Sequence, residues 1–518
     1  KGWDGRELMD AYDVFVNQDG EIFRFLINNA PFRSRIQIIK TDGETGKPIP
    51  YAGAGFQIFR PDGNLVEMIY TYPEVTRIDT FYTTEEGMLI TPEPLEYGTG
   101  YTLVEVSAPY GYVLNSDPVP FDVREEDSSE EGEVTIIRVE RPNLPQKGII
   151  TVKKSGEVFA SVTAIGGGSV DEDGKETVFP TVYQPVYAEQ GLAGAVYEVS
   201  AAEDIITPDG TLRYEKGKVV AELTTDENGT AMTEPLYLGT YEVREREAPD
   251  GFVLNEKPCN VELSYAGEEV AVTGAEGGFH NERQKAEISL EKVLAEDDRF
   301  QIGLQEEILS VQFGLFVAEE LTAADGSVIP ADGLLELVNC SEDGSASFRT
   351  DLPVGASLYV KEMETDDHYI LSDERYTVVF DYAGQETALV ELRVQDGSVI
   401  ENDLIYGQIR GLKTDRETGE TIEGALFGLF GPKEESFTEE TAILTARSDE
   451  EGVFLFSDVP FGSWVIRELA PAEGFLPCTD LHHVQVERDG QIVELSAVND
   501  RVPEIGTRAE VDGKKEIC

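Results

Sequence analysis

Cysteine, histidine and positive charge are scarce in this chain. Its 518 residues include four cysteines and four histidines, and none of them shows the close spacing of a zinc site or a disulfide framework. Lys and Arg number 41 against 101 Asp and Glu, so the formal net charge is −60, which repels nucleic acids and anionic membrane surfaces. The sequence therefore predicts no metal, no cofactor and no nucleic-acid partner.

Long hydrophobic runs and catalytic signatures are also missing. The sequence has no apolar run of roughly 18 residues, the length that predicts a membrane-spanning helix. It contains no GxSxG motif and no catalytic Cys–His signature. We therefore expect no membrane contact within the chain and no conventional enzyme activity.

The length and the apolar content are sufficient for several folded domains. Domains average about 150 residues, so a chain of 518 residues is expected to contain three to five. Hydrophobic residues make up 40% of the chain, which is ordinary for globular proteins despite the high charge. Each domain can therefore bury a core of its own.

One pattern occurs four times in the same order. A short alternating strand ends in Lys, a strand of the type GA-x-F follows, then an acidic turn with Gly, a strand that carries Glu, and a strand that ends in Asn. The four sets are Lys40, Glu105 and Asn143; Lys154, Glu245 and Asn281; Lys292, Glu362 and Asn402; and Lys413, Glu468 and Asn499.

Constant spacings identify these positions. Each Asn precedes the next Lys by eleven residues, which selects Lys154 over Lys153. An aromatic residue follows each Glu by seven, which selects Glu245 over Glu247. Apolar residues, mainly two and four positions before the Lys, place its side chain on the buried face of a strand.

The same periodicity predicts the fold class. Short strands separated by Gly-rich turns, with almost no helical periodicity, are typical of all-β sandwiches. The acidic turns are expected to supply positive φ angles between hairpin strands, and they do not match a calcium loop. We expect tandem immunoglobulin-like or prealbumin-like β-sandwich domains in an elongated rod, because the linkers between them are short.

The predicted boundaries follow the four sets. The β-sandwiches are expected at 33–144, 145–282, 283–403 and 404–500. Residues 1–32, with Asn29 eleven positions before Lys40, are expected to end a preceding domain, and residues 501–518 to begin a following one. The second domain carries an insertion at about 159–190, which we interpret as an exposed loop.

The segments around the Glu residues resemble the "E-box" of the SpaA-type pilin domains, also called collagen-adhesin B-type or prealbumin-like domains, of Gram-positive surface proteins. YTLVEVSAPYGY from residue 101 is typical of it, whereas the segment around Glu362 lacks the AP and Gly. The resemblance implies that each Lys forms an isopeptide bond with its Asn, promoted by Glu105, Glu245, Glu362 or Glu468. The tail at 503–516 resembles the start of a VaFE-type repeat of such proteins.

The resemblance implies a structural role at the cell surface. We expect a monomeric, rod-like stalk of a cell-wall-anchored protein, in which each domain is self-cross-linked against force and proteolysis. Two alternatives stay open: an adhesin module that binds host extracellular matrix or glycan through the insertion, and a pilus subunit. The sequence shows neither a pilin-type YPK motif nor an LPxTG sorting signal.

Overall fold

The computed structural model describes residues 13–24, 33–71, 74–124, 135–170 and 176–503. These residues form two compact units. The first unit runs to Gly156 and includes Gln190–Pro249 and Leu254–Asn281, and the second holds Glu157–Glu189, Asp250–Val253 and the chain from Glu282 onwards. Strands dominate both units, and the described residues include two short 3-10 helices at Glu307–Ser310 and Val394–Gly397. The predicted all-β class is confirmed.

The first sandwich has its core between two sheets. Strand β1 lies between β10 and β6 and also pairs with β7, and β5-β2-β8-β9 form the facing sheet. The strands are β1 Arg33–Asp42, β2 Gly55–Phe59, β3 Met68–Tyr70, β4 Thr76–Ile78, β5 Phe81–Tyr82, β6 Met88–Ile90, β7 Leu95–Glu96, β8 Gly98–Ser107, β9 Val119–Val123 and β10 Thr135–Asn143.

The second sandwich repeats this plan. The first half of β11 pairs with β17, β18 and β21, and β16-β13-β19-β20 face them. The strands are β11 Lys147–Val170, β12 Glu176–Gly191, β13 Val196–Ala201, β14 Ile205–Ile206, β15 Leu212–Tyr214, β16 Val219–Thr224, β17 Thr230–Met232, β18 Leu236–Tyr237, β19 Gly239–Glu247, β20 Cys259–Leu263 and β21 Val272–Asn281.

In the third sandwich, β22 pairs with β27, β30 and β31, and β26-β23-β28-β29 form the facing sheet. Its core includes Phe313, Phe348 and Phe380, all at most 2% exposed. The strands are β22 Lys285–Leu294, β23 Gln312–Val317, β24 Leu321–Thr322, β25 Val328–Ile329, β26 Leu334–Asn339, β27 Ser345–Phe348, β28 Ala356–Glu364, β29 Arg375–Phe380, β30 Leu389–Arg393 and β31 Ile400–Asn402.

The fourth sandwich is the smallest. Strand β32 lies between β35 and β38, and β34-β33-β36-β37 face it. The strands are β32 Tyr406–Asp415, β33 Leu426–Phe430, β34 Leu444–Arg447, β35 Val453–Pro460, β36 Gly462–Ala470, β37 Leu481–Val486 and β38 Ile492–Asn499.

The first and last strands of every sandwich are neighbours and run parallel. The residue opposite each Asn is the second one after the Lys, so the four sandwiches share one register. The pairs are Asp42 with Asn143, Gly156 with Asn281, Leu294 with Asn402, and Asp415 with Asn499. Because side chains alternate along a strand, Lys and Asn then point to the same face.

The insertion in the second repeat is not an exposed loop over its described residues, contrary to expectation. It forms the second half of β11 and most of β12, which pair with each other as a β-ribbon. Val182 of β12 bridges to Leu334 at the edge of the third sandwich, and Phe159, Val162 and Tyr183 pack against that core. Its many β-branched and aromatic residues favour strand structure.

Some expectations concern residues outside the described ranges. These are Asn29 with most of residues 1–32, and residues 504–516 of the tail that resembles a VaFE-type repeat. Within the described part of the chain, no helix has both the length and the apolar character needed to span a bilayer.

Candidate functional site

The four predicted lysines lie inside the sandwiches. Lys40, Lys154, Lys292 and Lys413 are each at most 2% exposed, on the core-facing side of the first strand. Each Nζ faces the carboxylate of its predicted Glu, which comes from the opposite sheet. The distances are 2.8 Å to Glu105, 2.8 Å to Glu245, 3.5 Å to Glu362 and 2.6 Å to Glu468.

Each asparagine contacts both of the other groups. Its Oδ1 accepts a hydrogen bond from the Lys Nζ in all four sandwiches. Its Nδ2 donates to the carboxylate, at 3.0 Å for Glu105, 2.9 Å for Glu245, 2.8 Å for Glu362 and 2.9 Å for Glu468. The structure thus brings together all twelve predicted side chains as four closed triads.

A β-bulge and an aromatic residue position each Glu. The Glu lies opposite the aromatic residue of the GA-x-F strand, immediately after a register shift. The pairs are Phe56 with Glu105, Tyr197 with Glu245, Phe313 with Glu362, and Phe427 with Glu468. In three sites the ring also lies 5.4–5.8 Å from the Lys Nζ, so the amine is enclosed by apolar surface and one carboxylate.

The predicted turn glycines anchor the lysine backbone. Gly229 has φ +73°, and its carbonyl accepts the N–H of Lys154 at 2.7 Å. A Cβ at Gly229 would collide with the carbonyl of Lys154, so both the left-handed backbone and the close approach require glycine. Gly87, Gly344 and Gly452 make the same bond to the other three lysines.

Burial shifts the pKa of three of these lysines. Desolvation lowers the pKa of Lys40 from 10.5 to about 8, although the charge and hydrogen bond of Glu105 oppose the shift. Desolvation also lowers the pKa of Lys154 and of Lys292, again against their carboxylates. A lower pKa increases the fraction of neutral amine, which is the nucleophilic form.

The two neighbouring lysines of the second repeat have different surroundings. Lys154 is buried in its triad, whereas Lys153 is exposed and pairs with Glu276 at 2.9 Å on the outer face. The structure therefore places Lys154, and not Lys153, beside Asn281.

Sequence comparison identifies the family of these domains. The SpaA family, described as a prealbumin-like fold domain, matches residues 34–137, 186–276 and 407–501, more than half of the chain. The chain belongs to the SpaA family. No curated protein matches it in sequence.

Solved structures with low similarity to this SpaA-family chain include surface and pilus proteins. The Bacillus anthracis TIE protein is 15% identical, with 92% of this chain and 76% of that chain covered and a TM-score of 0.49. BcpA, the major pilin subunit of Bacillus cereus, is 15% identical over 69% of this chain and 100% of its own, with a TM-score of 0.30.

The third repeat departs most from the SpaA pattern. It lies outside the three matched segments, and its Lys–Glu distance of 3.5 Å is the longest of the four. Cys340, a buried thiol, takes the place of hydroxyls that accept a backbone N–H at Thr83, Thr225 and Ser448 in the other repeats. The triad of Lys292, Glu362 and Asn402 is nevertheless assembled.

The sequence pattern does not reveal the group that holds each SpaA-type Glu from the other side. The backbone N–H ten residues after the Glu donates to its carboxylate in all four repeats. The donors are Asn115 at 3.3 Å, Asn255 at 2.9 Å, Ser372 at 3.0 Å and Cys478 at 3.4 Å. The spacing of ten is constant, but a backbone donor constrains no residue type, so the sequence carries no motif for it.

Among the residues that the structure describes, no group of three or more His, Cys, Asp or Glu side chains could hold a metal ion. Each triad holds an amine, a carboxamide and a carboxyl group in contact.

Proposed function

We propose that this chain is a structural stalk segment of a Gram-positive cell-surface protein, in which each of the four sandwiches is locked by a Lys–Asn isopeptide bond. The observation that carries the proposal is the fourfold recurrence of a buried amine in contact with a carboxamide and a carboxyl group. Burying a Lys is costly, because its charge must be desolvated. Four copies in one register favour a common function.

The reaction requires no external reagent. The neutral Nζ of Lys attacks Cγ of Asn, and the Glu carboxylate accepts a proton from Nζ and transfers it to Nδ2. The bond between Cγ and Nδ2 then breaks, ammonia leaves, and the Glu returns to its starting state. Each Lys and Asn thus become one secondary amide.

Proximity supplies most of the acceleration. The fold holds the amine and the carboxamide in contact, and such positioning is worth roughly 7 to 11 kcal/mol in well-oriented intramolecular reactions. The reaction happens once per domain, so the chain modifies itself and turns over no substrate. Its proposed location is the extracellular cell wall, where an irreducible cross-link protects against proteolysis.

Peptide mapping tests this proposal directly. The purified chain is digested, and mass spectrometry should detect four branched peptides, each joining a Lys to its Asn with the loss of one ammonia. Lys154→Ala should abolish the peptide linked to Asn281, whereas Lys153→Ala should leave it intact. Linear peptides at all four sites would reject the covalent mechanism while leaving the fold unchanged.

The two alternative roles gain no specific support. The insertion, which was considered as an adhesive loop, packs Phe159 and Tyr183 against the core of the third sandwich. The described residues show no particular feature that favours polymerisation into a pilus. A stalk segment is the function that the four triads support best.

A further inference from the structure

The first triad has a buried arginine that the other three lack. Arg141 on β10 is the residue opposite Lys40 on β1, and it is 5% exposed. The residues opposite the other three lysines are Phe279, Ile400 and Ala497. The four sandwiches are therefore internal controls for what this guanidinium adds.

The hydrogen bonds of Arg141 lead to Glu105. Its Nη2 donates to Asn115 Oδ1 at 2.8 Å, to the carbonyl of Asp117 at 2.7 Å and to the carbonyl of Asn115. The N–H of Asn115 in turn donates to Glu105 Oε2 at 3.3 Å. Arg141 thus fixes the segment 115–117, which holds the carboxylate of the triad.

The charge of Arg141 is poorly compensated. All its described bonds go to neutral oxygen atoms, and its Nε is buried without a hydrogen-bond partner among the described residues. Burying a cation that is held only by neutral groups is costly, so its presence here points to a function. Because Arg141 lies beside Lys40, its positive charge disfavours a second positive charge on the Lys40 amine.

We propose that Arg141 is a positioning residue of the first cross-link site: it orients Glu105 through Asn115 and favours the neutral, nucleophilic form of Lys40. The proposal rests on the isopeptide function proposed above and adds a control specific to one site. Lys40 should react faster than it would opposite an apolar residue, as in the other three sandwiches.

The electrostatic balance around Lys40 agrees in direction. Lys40 is faced by Glu105 from β8 and by Arg141 from β10, and Asp42 lies two residues along its own strand. Asp42 is itself paired with Arg213 at 2.9 Å and bonded by Tyr112. Burial is the largest cause of the lowered pKa of Lys40, Glu105 opposes it, and the charge of Arg141 lowers it further.

The test follows bond formation at all four sites in one molecule. The chain is recovered unfolded from inclusion bodies in guanidinium, and its mass is checked to show that no ammonia has been lost. It is then diluted into buffers from pH 5 to 10. Samples are quenched in acid, and the four linked peptides are quantified over time. In the unsubstituted chain the first site should react with an apparent pKa near that of Lys40, about 8.

Arg141→Gln removes the charge, and Arg141→Lys retains it. With Gln, the profile of rate against pH at the first site should move to higher pH, so that the rate falls more at pH 7 than at pH 10. With Lys, the profile should keep its midpoint, and only its plateau should fall. The other three sites should be unaffected, as should the first site in Arg138→Gln, an exposed arginine on the same strand.

The outcomes separate two kinds of failure. If the first site of the unsubstituted chain never loses ammonia, the proposed function fails there. If it reacts, but Arg141→Gln leaves its rate and midpoint unchanged or slows it equally at every pH, the proposed electrostatic role of Arg141 is wrong. Protection of the backbone amides of β1 and β10 against hydrogen exchange checks that the variants fold.

Discussion

Asn143 lies two residues further along β10 than the position opposite Lys40 on the parallel strand β1. Both residues are near the carboxyl ends of their strands, so a bond between them joins the entry strand to the exit of the domain. Force applied at Arg33 would pass along β1 to Lys40 and through the proposed isopeptide bond to Asn143, where the chain leaves the domain. The chain between Lys40 and Asn143, a sequence separation of 103 residues, would carry no load.

Single-molecule pulling should therefore distinguish linked from unlinked first sandwiches. Lys40→Arg keeps the positive charge but removes the nucleophile, since guanidinium stays protonated. Unfolding of that sandwich should then release a length of roughly 350 Å, from 103 residues at about 3.4 Å each. Lys47→Arg, at an exposed lysine, should show no such step. A step of that size in the unsubstituted chain would contradict the proposed load path.

The cross-link should also stabilise the fold thermodynamically. The loops that the four bonds would close span sequence separations of 103, 127, 110 and 86 residues. By analogy with disulfides, closing a loop of this length contributes roughly 4 to 5 kcal/mol per bond through the unfolded state.

Arg213 should stabilise the loop that follows Lys40. It pairs with Asp42 and Glu44, each at 2.9 Å, although it belongs to the second sandwich. Arg213→Ala leaves a buried carboxylate without its counter-charge, so we expect a loss of about 2 kcal/mol. The N–H groups of Glu44 and Thr45 donate to Asp42 Oδ1, and their hydrogen exchange should accelerate about thirtyfold if that loss appears locally.

Arg244→Ala is the matched control for this contact. Arg244 is half-exposed and pairs with Glu242 at 3.1 Å on the surface of the same sandwich, so its loss should cost less than about 0.5 kcal/mol. Equal effects of the two substitutions would contradict the role given to Arg213.

Asp209 should make the first unit sensitive to strong acid. Burial raises the pKa of this carboxyl group, but hydrogen bonds from Thr207, Thr211 and Thr45 have the larger combined effect. The net result is a pKa lowered from 3.8 to about 2. Because the folded pKa lies below the unfolded one, its contribution is complete above pH 4 and is lost as the pH falls towards 2. That contribution is about 2 kcal/mol.

Acid titration of the unfolding free energy tests this sign. The unsubstituted chain should lose stability between pH 4 and 2, whereas Asp209→Asn should be less stable at pH 7 and lose less over the same interval. If Asp209→Asn and the unsubstituted chain lose equal stability on acidification, Asp209 does not contribute in this way.

The ribbon of the second repeat should stabilise the third sandwich. Phe159 packs against its core, and the carbonyl of Phe159 accepts the N–H of Ala324 at 3.0 Å. Phe159→Ala should cost about 2 kcal/mol, less than for a fully buried phenylalanine. It should also speed hydrogen exchange in β26, whereas Ile165→Ala, at a residue 54% exposed, should not. Unchanged exchange in β26 with Phe159→Ala would show that the ribbon contributes nothing there.

Repetition explains which features the sequence could predict. Four copies with constant spacings identify Lys154 over Lys153 and Glu245 over Glu247, and alternation along the strands predicts the all-β fold. Features that occur in only one repeat cannot be recognised by comparison among the repeats. The docking of Phe159, the pairing of Arg213 and the position of Arg141 opposite Lys40 are of this kind, because they depend on tertiary contacts. The backbone donor at Asn115 leaves no trace in residue type. That the triads react stays a prediction.

The intact mass of the purified chain tests the central claim most directly. Four cross-links predict a mass below that of the sequence by four ammonia molecules. Glu105→Gln, Glu245→Gln, Glu362→Gln and Glu468→Gln, made one at a time, should each restore one ammonia by removing the proton acceptor of one site. A mass equal to that of the unmodified sequence, or four variants with the same deficit as the unsubstituted chain, would contradict the proposed mechanism.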